Sequence, residues 1–472
     1  MSSNGRPDAQ PTPARVGARA IVATTGLTLA TLGAVLPQTM SAPVIGLTAE
    51  DYGTTAAEAS WALTVVLVVA VASTPVIGRL GDAFGARLLL VLLLPVVAVG
   101  LVIAALAPTI GWLIAGRAVQ GLAGGVLPLA ITIVSHLFPG RHRAAAVGLV
   151  TATFATGTGF GVVVSGLLVD HIGVRALSWV PLALIAAAEV LVIAALPHIP
   201  TRHGVHIDVR SALFMSAGLA ALLLALTEAP QWPLPWLSMS GCLLAGAALL
   251  VLWMRREHRS PDPMVDPRTL ARRGVWATHL TALLLGATLL GCFVLLPAFA
   301  EAPADADPTT ETGLGASVTV AALLLLPASL AMLAVGPLAG ILRRRFDTRA
   351  PVLLGAATAA LGGIVIFAAT RDFAGLLVGT VLLGAGIAVS SAGMVNVLID
   401  VVPDDEVGVT TGVNVVARQM GGALGAAGVA AALAVRGFPP DAAAFGTAFA
   451  LVAALAVAGA AASLLIPRRR AR

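Results

Sequence analysis

Few side chains in this 472-residue chain could do chemistry where they stand, and most are isolated from one another. The exception is Gly78-Arg79-Leu80-Gly81-Asp82-Ala83-Phe84-Gly85-Ala86-Arg87, which sets one carboxylate between guanidiniums. Asp82 could pair with Arg79 or Arg87 or cap a helix end, while Gly78, Gly81 and Gly85 allow tight turning and close packing. Such contacts could latch one conformation and release in another. Arg117 with Gln120, and Arg418 beside Asn414 and Gln419, place guanidiniums inside otherwise apolar runs. Glu189 and His279 stand inside similar runs and could pick up and release a proton. No Cys/His cluster has metal-ligand spacing, so no metal and no cofactor is expected. Gly386 is not followed by a Lys-Ser/Thr pair, and the chain has no Lys at all. ATP-driven pumping by this chain alone and Schiff-base chemistry are thereby excluded.

The elements that must position these groups follow from composition. The chain is 58% hydrophobic and 11% charged, against about 25% charged for a soluble domain. Its apolar residues come in blocks such as Leu88 to Ala107, Ala277 to Ala298 and Val318 to Leu342. Blocks of about 20 residues suit bilayer-crossing helices, whereas strands would show short alternating segments. Fourteen candidate spans start near Ala20, Ser60, Arg87, Ile110, Ala144, Val174, Val209, Pro233, Gly274, Leu314, Ala350, Phe373, Val407 and Ala443. An even number puts both termini on one side. With both termini cytoplasmic, 23 arginines fall in cytoplasmic segments and only Arg175, Arg371 and Arg436 in outer loops. The basic balance is therefore a topology signal, with no nucleic-acid partner. Cys242 and Cys292 lie inside apolar blocks and read as small buried hydrophobes. The first block is expected to be an uncleaved span.

An internal repeat supports this layout. Pro75, Gly78, Leu80, Phe84 and Arg87 recur as Pro337, Gly340, Leu342, Phe346 and Arg349, each displaced by 262 residues. Two related six-helix bundles, residues 20–200 and 274–467, are expected around a two-helix insert at 201–273, with tails at 1–19 and 468–472.

On these residues the chain resembles the major facilitator superfamily. Gly78 to Arg87 is similar to the signature loop between its second and third spans, and Gly340 to Arg349 to the weaker second copy. Leu113 to Gly125, with Arg117, Gln120 and Gly121, resembles the family's span-four motif. The fourteen spans, Ser60-Trp61 and Arg418 to Gly425 resemble the drug:proton antiporter subfamily. Gly157, Gly161 and Gly166 match its span-five packing motif, although Val162 stands where that motif has Pro and Ser165 where it has Gly. The stretch Leu29 to Pro37 lacks the acid usual in the first span of the subfamily. The resemblance implies an all-α integral membrane fold and secondary transport, not an enzyme: proton-coupled efflux of a small hydrophobic or cationic substrate by a monomer in the cell membrane.

Single residues carry alternatives. Arg117 either serves function, since its counterpart in the second half is Thr380, or bonds backbone carbonyls of span one. Arg418 either lines the cavity or packs within the second bundle. Thr24, Thr28 and Thr31 fall on one helical face, as a polar wall of the substrate path or as hydroxyls bonded to their own helix. Asn396 and Asn414 are further candidates for that path. Glu189 is either a proton carrier or a snorkelling surface group, and His279 either a proton site or a core histidine. A transporter of a lipid or metabolite without proton antiport is the runner-up. An enzyme would need clustered His and acids near one face, and a receptor a sizeable soluble domain.

Overall fold

The computed structural model describes residues 18–468 apart from segments at 42–43, 139–140, 198–207, 229–231, 233, 262, 304–312, 337, 370–371, 404–405 and 436–439. The described residues form helices and their connections, without strands. Ala, Leu, Val and Gly fill the helices, and polar residues gather at their ends. Thr55, Asp208, Asp372 and Asp441 each cap a helix by accepting first-turn amides, so local sequence sets where those helices start.

The first part comprises α1 (Ala18–Met40), a short α2 (Ile45–Asp51), α3 (Ala56–Phe84), α4 (Ala86–Ala105), α5 (Ile110–Gly121), α6 (Val126–Leu137), α7 (Arg141–Ile172) and α8 (Ala176–Ala195). A 3-10 turn at Leu122–Gly125 joins α5 to α6, so Ile110–Leu137 reads as one span. Next come α9 (Val209–Thr227), α10 (Pro235–Glu257) and a single turn, α11 (Pro267–Leu270). The last part holds α12 (Arg273–Glu301), α13 (Val318–Leu323), α14 (Leu326–Val335), α15 (Leu338–Arg345), α16 (Ala350–Ala368), α17 (Phe373–Val401), α18 (Val407–Ala434) and α19 (Ala442–Ser463). Among the described residues, eleven helices are long and apolar enough to cross a membrane. Beyond these eleven, α7 and α18 run for 32 and 28 residues.

The structure corrects three local expectations. Gly78 to Phe84 is not a turn but the last two turns of α3, and only Gly85 breaks the helix. Gly85 sits at φ 100°, a conformation that side chains rarely adopt. The span expected from Leu314 is not continuous but broken into α13, α14 and α15. The unexpected α2 lies after α1 and packs on α3.

Two buried cores organise the packing. One is built mainly from α1, α4, α6, α7 and α8, with Leu27, Leu94, Leu129 and Ile185 nearly inaccessible. The other is built from α12, α14, α16, α17, α18 and α19, around Leu296, Met332 and Phe449. Phe299 meets Phe445 and Phe449 edge-on, at centroid distances of 5.4 and 5.1 Å. Helices α9 and α10 pack on each other, and α9 leans on α3 and α18.

The sequence repeat is also a packing repeat. A Cβ on Gly100 would lie 2.9 Å from the Gly116 oxygen, and one on Gly362 would lie 2.7 Å from the Gly379 oxygen. Likewise Gly121 approaches the Val66 oxygen to 2.8 Å and Gly384 the Ala328 oxygen to 2.7 Å on the same measure. Members of each set are 262 or 263 residues apart. Small residues at matching places let matching backbones meet.

Candidate functional site

The two parts of the chain meet closely at the end that carries the arginine-rich connections. Gly78 of α3 faces Gly408 at the start of α18, where a Cβ would come within 2.6 Å of the Gly408 oxygen. One turn on, Gly412 abuts Thr74 and Pro75. This approach delivers Asp82 to the N-terminus of α18. The N-cap residue Glu406 gives α18 no side-chain cap. Asp82 fills that role from another helix, accepting the Gly408 amide at 3.0 Å and the Val409 amide at 2.8 Å. The carboxylate thus meets unsatisfied donors and the positive end of a helix dipole, an interaction of about 0.5–2 kcal/mol.

The pseudo-repeat shows how one-sided this is. The counterpart of Gly78 is Gly340, which faces Ala144 and Ala145 of α7 as Gly78 faces Gly408. The counterpart of Asp82 is Arg344, so only the first copy carries the capping acid. A second bridge sits beside that counterpart crossing. Asp400, at the end of α17, accepts Arg143 of α7 at 3.1 Å and Arg343 of α15 at 2.7 Å. Arg143 and Arg343 count among the topology arginines in the sequence, and Asp400 escaped notice there. Its signal was its position, since it is the sole acid within α17. Other arginines of this end donate to closing carbonyls of helices, where positive charge is favoured. Arg19 reaches Ala195, Arg272 reaches Val401, Arg273 reaches Leu465 and Arg349 reaches Leu464. Arg79 is buried, and Arg87 is half-buried at the start of α4.

Deeper along the helices, Arg117 is 4% exposed and donates to the Pro37 oxygen of α1 at 3.0 Å and to Gln120 Oε1 at 3.1 Å. Gln120 in turn donates to the Gly100 oxygen of α4. The guanidinium therefore ties three helices together through neutral oxygens, and its Nε has no partner. Arg117 also lines a cavity at the end opposite the arginine-rich connections, with Ser41, Thr48, Tyr52, Arg175 and Ser178 among its polar groups. There the Tyr52 phenol is pushed above its ordinary range by burial, against the opposing pull of Arg175.

Arg418 reaches across the seam. Its guanidinium lies 4.7 Å from the ring centre of Phe154 on α7, and its Nη2 is buried without a partner. Cation–π contacts of this kind contribute about 0.5–2 kcal/mol. One turn before it, Asn414 meets His279 Nδ1 of α12 at 3.3 Å. His279 Nε2 and Gln419 Oε1 are buried and unpartnered. The structure therefore sets Arg418 against Phe154 and, one turn earlier on α18, Asn414 against His279.

It does not bring Glu189 there. Glu189 stands on α8, which packs against α1 and α4, and its Oε2 is buried without a partner. Thr24, Thr28 and Thr31 donate to the carbonyls of Ala20, Thr24 and Leu27, one turn back on their own helix. Asn396 donates to Ala392 within α17 and leaves its Oδ1 unpartnered. Gly157 and Gly161 let α7 close on Val35 and Thr39 of α1, and Thr39 donates to the Gly157 oxygen at 3.2 Å. Gly166 continues α7. Two buried carboxylates went unremarked in the sequence. Glu228 bonds Thr64 of α3, and Glu257 takes Ser211, Trp253 Nε1 and the Met264 amide. Asp208, beside the latter, is held below the usual carboxylate range by its hydrogen bond from Arg256.

Comparison with known proteins gives this geometry a family. The profile of the Major Facilitator Superfamily matches residues 27–425 and 306–472. "Multidrug resistance protein Stp" of Mycobacterium tuberculosis (strain CDC 1551 / Oshkosh) is 30% identical over 385 residues, covering 80% of this chain and 68% of that one. The "Tetracenomycin C resistance and export protein" of Streptomyces glaucescens is 25% identical over 395 residues, covering 82% and 71%. In fold, the structure of the proton:xylose symporter XylE bound to 6-bromo-6-deoxy-D-glucose superposes with a TM-score of 0.65 at 14% identity, over 95% of this chain and 96% of that one. With its long apolar helices and its repeated helix contacts, this multi-pass membrane protein belongs to the Major Facilitator Superfamily of transporters.

Proposed function

We propose that the protein exports hydrophobic small molecules from the cytoplasm by alternating access, driven by protons. The observation that carries this reading is the cross-seam cap made by Asp82 on α18. It joins the two repeats at one end only, as a latch on one of two conformations would. The Arg143–Asp400–Arg343 bridge works beside it. The relatives named for multidrug resistance and for tetracenomycin C export support a drug-like cargo. In this reading the chain crosses the cell membrane fourteen times: the eleven apolar helices are completed by α7, α18 and the broken α13–α15 segment. Residues 20–200 and 274–467 form the moving bundles, and 201–273 forms the insert. The arginine-rich end and both termini face the cytoplasm.

Proton coupling falls to His279. It bonds Asn414 of α18, so a change of charge there would act on the helix that Asp82 latches. Glu189 lies off the seam and is the second candidate. The test uses purified protein in proteoliposomes. His279→Gln should abolish accumulation driven by a pH gradient yet spare substrate exchange at equal pH, whereas Glu189→Gln should leave both within about twofold. Gradient-driven accumulation that survives His279→Gln removes His279 from the coupling role. If it survives both changes, proton coupling through these carriers is wrong.

A further inference from the structure

Among the described residues, the acids that reach the seam, Asp82 and Asp400, are engaged at its arginine-rich end and pair with neither deep guanidinium. Arg418 Nη2 is buried beside Phe154 without a partner, and His279 Nε2 of α12 and Gln419 Oε1 of α18 are buried and unpartnered as well. Arg117, the other deep guanidinium, bonds only neutral oxygens of Pro37 and Gln120. Among the described residues no Asp or Glu pairs with either arginine, because the acids of the bundle are engaged or placed elsewhere. Asp82 is held by α18 amides, Asp400 by Arg143 and Arg343, and Glu228 by Thr64. Glu189 is on α8, away from the seam.

A guanidinium left unpaired at membrane depth is costly, and it repels a cationic cargo. An anionic cargo would relieve that cost. The surroundings of Arg418 also match a particular shape. Phe154 offers an aromatic face at 4.7 Å, and Nη2 offers a free donor next to it. A ligand that couples a flat apolar body to an acid group could place its ring against Phe154 and its acid on Nη2.

We infer that the cargo is an aromatic acid carried as its anion, and that Arg418 is the residue that recognises the acid group. This rests on the transport reading above and narrows its hydrophobic cargo to an anionic one. The test uses three probes with one aromatic body: anthracene-9-carboxylate, anthracene-9-methanol and anthracen-9-ylmethylammonium. Binding to the detergent-purified full chain and uptake into proteoliposomes are both measured. Wild type should prefer the carboxylate over the ammonium by at least tenfold. Arg418→Gln should erase that preference, with saturable binding of the neutral alcohol showing that the variant is folded. Arg418→Lys, which keeps the charge but not the fork, should retain the preference at weaker affinity. Absence of saturable carboxylate binding, or an equal or reversed preference in wild type, overturns the inference. An anion preference that persists in Arg418→Gln overturns the assignment of Arg418. The two readings fail differently. Ammonium uptake driven by a pH gradient leaves proton-driven transport standing and sinks the anionic cargo. Carboxylate exchange that no pH gradient drives does the opposite.

Discussion

At the scale of the residue, the decisive group is one carboxylate that caps a helix to which it does not belong. Asp82 was legible in the sequence as an acid between arginines, but its partner was not. Capping of α18 joins positions 326 and 327 residues apart, and nothing local announces it. The Arg418–Phe154 contact was hidden for the same reason, since Phe154 is an unremarkable aromatic in a Gly/Thr-rich run. Arg117 was easier, because a guanidinium inside an apolar block must find oxygen acceptors nearby. Asp82→Asn keeps an acceptor but removes the charge that favours the helix N-terminus, and Asp82→Ala removes both. At equal amounts of folded protein, the steady-state transport rate should fall about fivefold or more for Asn and further for Ala, if each step forfeits about 1 kcal/mol of latch. Equal rates for all three proteins would show that the cap holds structure without governing turnover.

At the scale of the element, glycine decides where helices meet. The α3 helix continues to Phe84 and stops at Gly85 because the next peptide needs φ 100°. The glycines made the stretch read as a turn between two helices, because turns and closely packed helices both use Gly. Gly78→Ala should be more disruptive than a typical surface change, because the added methyl meets the Gly408 backbone, which cannot swing aside as a side chain could. Its expected signature is a lowered transport rate with normal membrane insertion. Undiminished transport in Gly78→Ala would mean that α3 and α18 do not need this approach. The insert is held differently, through Glu257 and the Asp208–Arg256 pair. The folded carboxyl of Asp208 sits below its ordinary value, so its contribution is complete above the unfolded value near 3.9 and is lost as pH falls through the folded one. Asp208→Asn should therefore cost less than about 1 kcal/mol at neutral pH, and the difference from wild type should vanish in strong acid. Thermal unfolding of the detergent-solubilised protein between pH 3 and pH 8 would measure it, and a cost that grows towards acid would contradict the ion-pair account.

At the scale of the whole molecule, the repeat and the arginine asymmetry were readable before any coordinates. Apolar blocks had nearly the right starts, because span length and Gly/Pro punctuation are written locally. The break of the expected tenth span into α13, α14 and α15 was missed because the composition stays apolar, although Pro327 and the Gly336-Pro337 pair marked it in the sequence. The arginine distribution predicts the topology. A reporter fused after Arg472 and one inserted near residue 308 should sit on opposite sides of the membrane, and the same side for both would contradict fourteen crossings. The central claim is that Asp82 holds the two repeats shut at the arginine-rich end. Phe84 and Phe346 are exposed repeat counterparts near that end, 52% and 61% accessible. Spin labels at these two positions, with Cys242 and Cys292 replaced, would report its opening by double electron–electron resonance. The account predicts a single short-distance population in the wild type and, in Asp82→Asn, a second population at longer distance. An unchanged distance distribution in Asp82→Asn would contradict it.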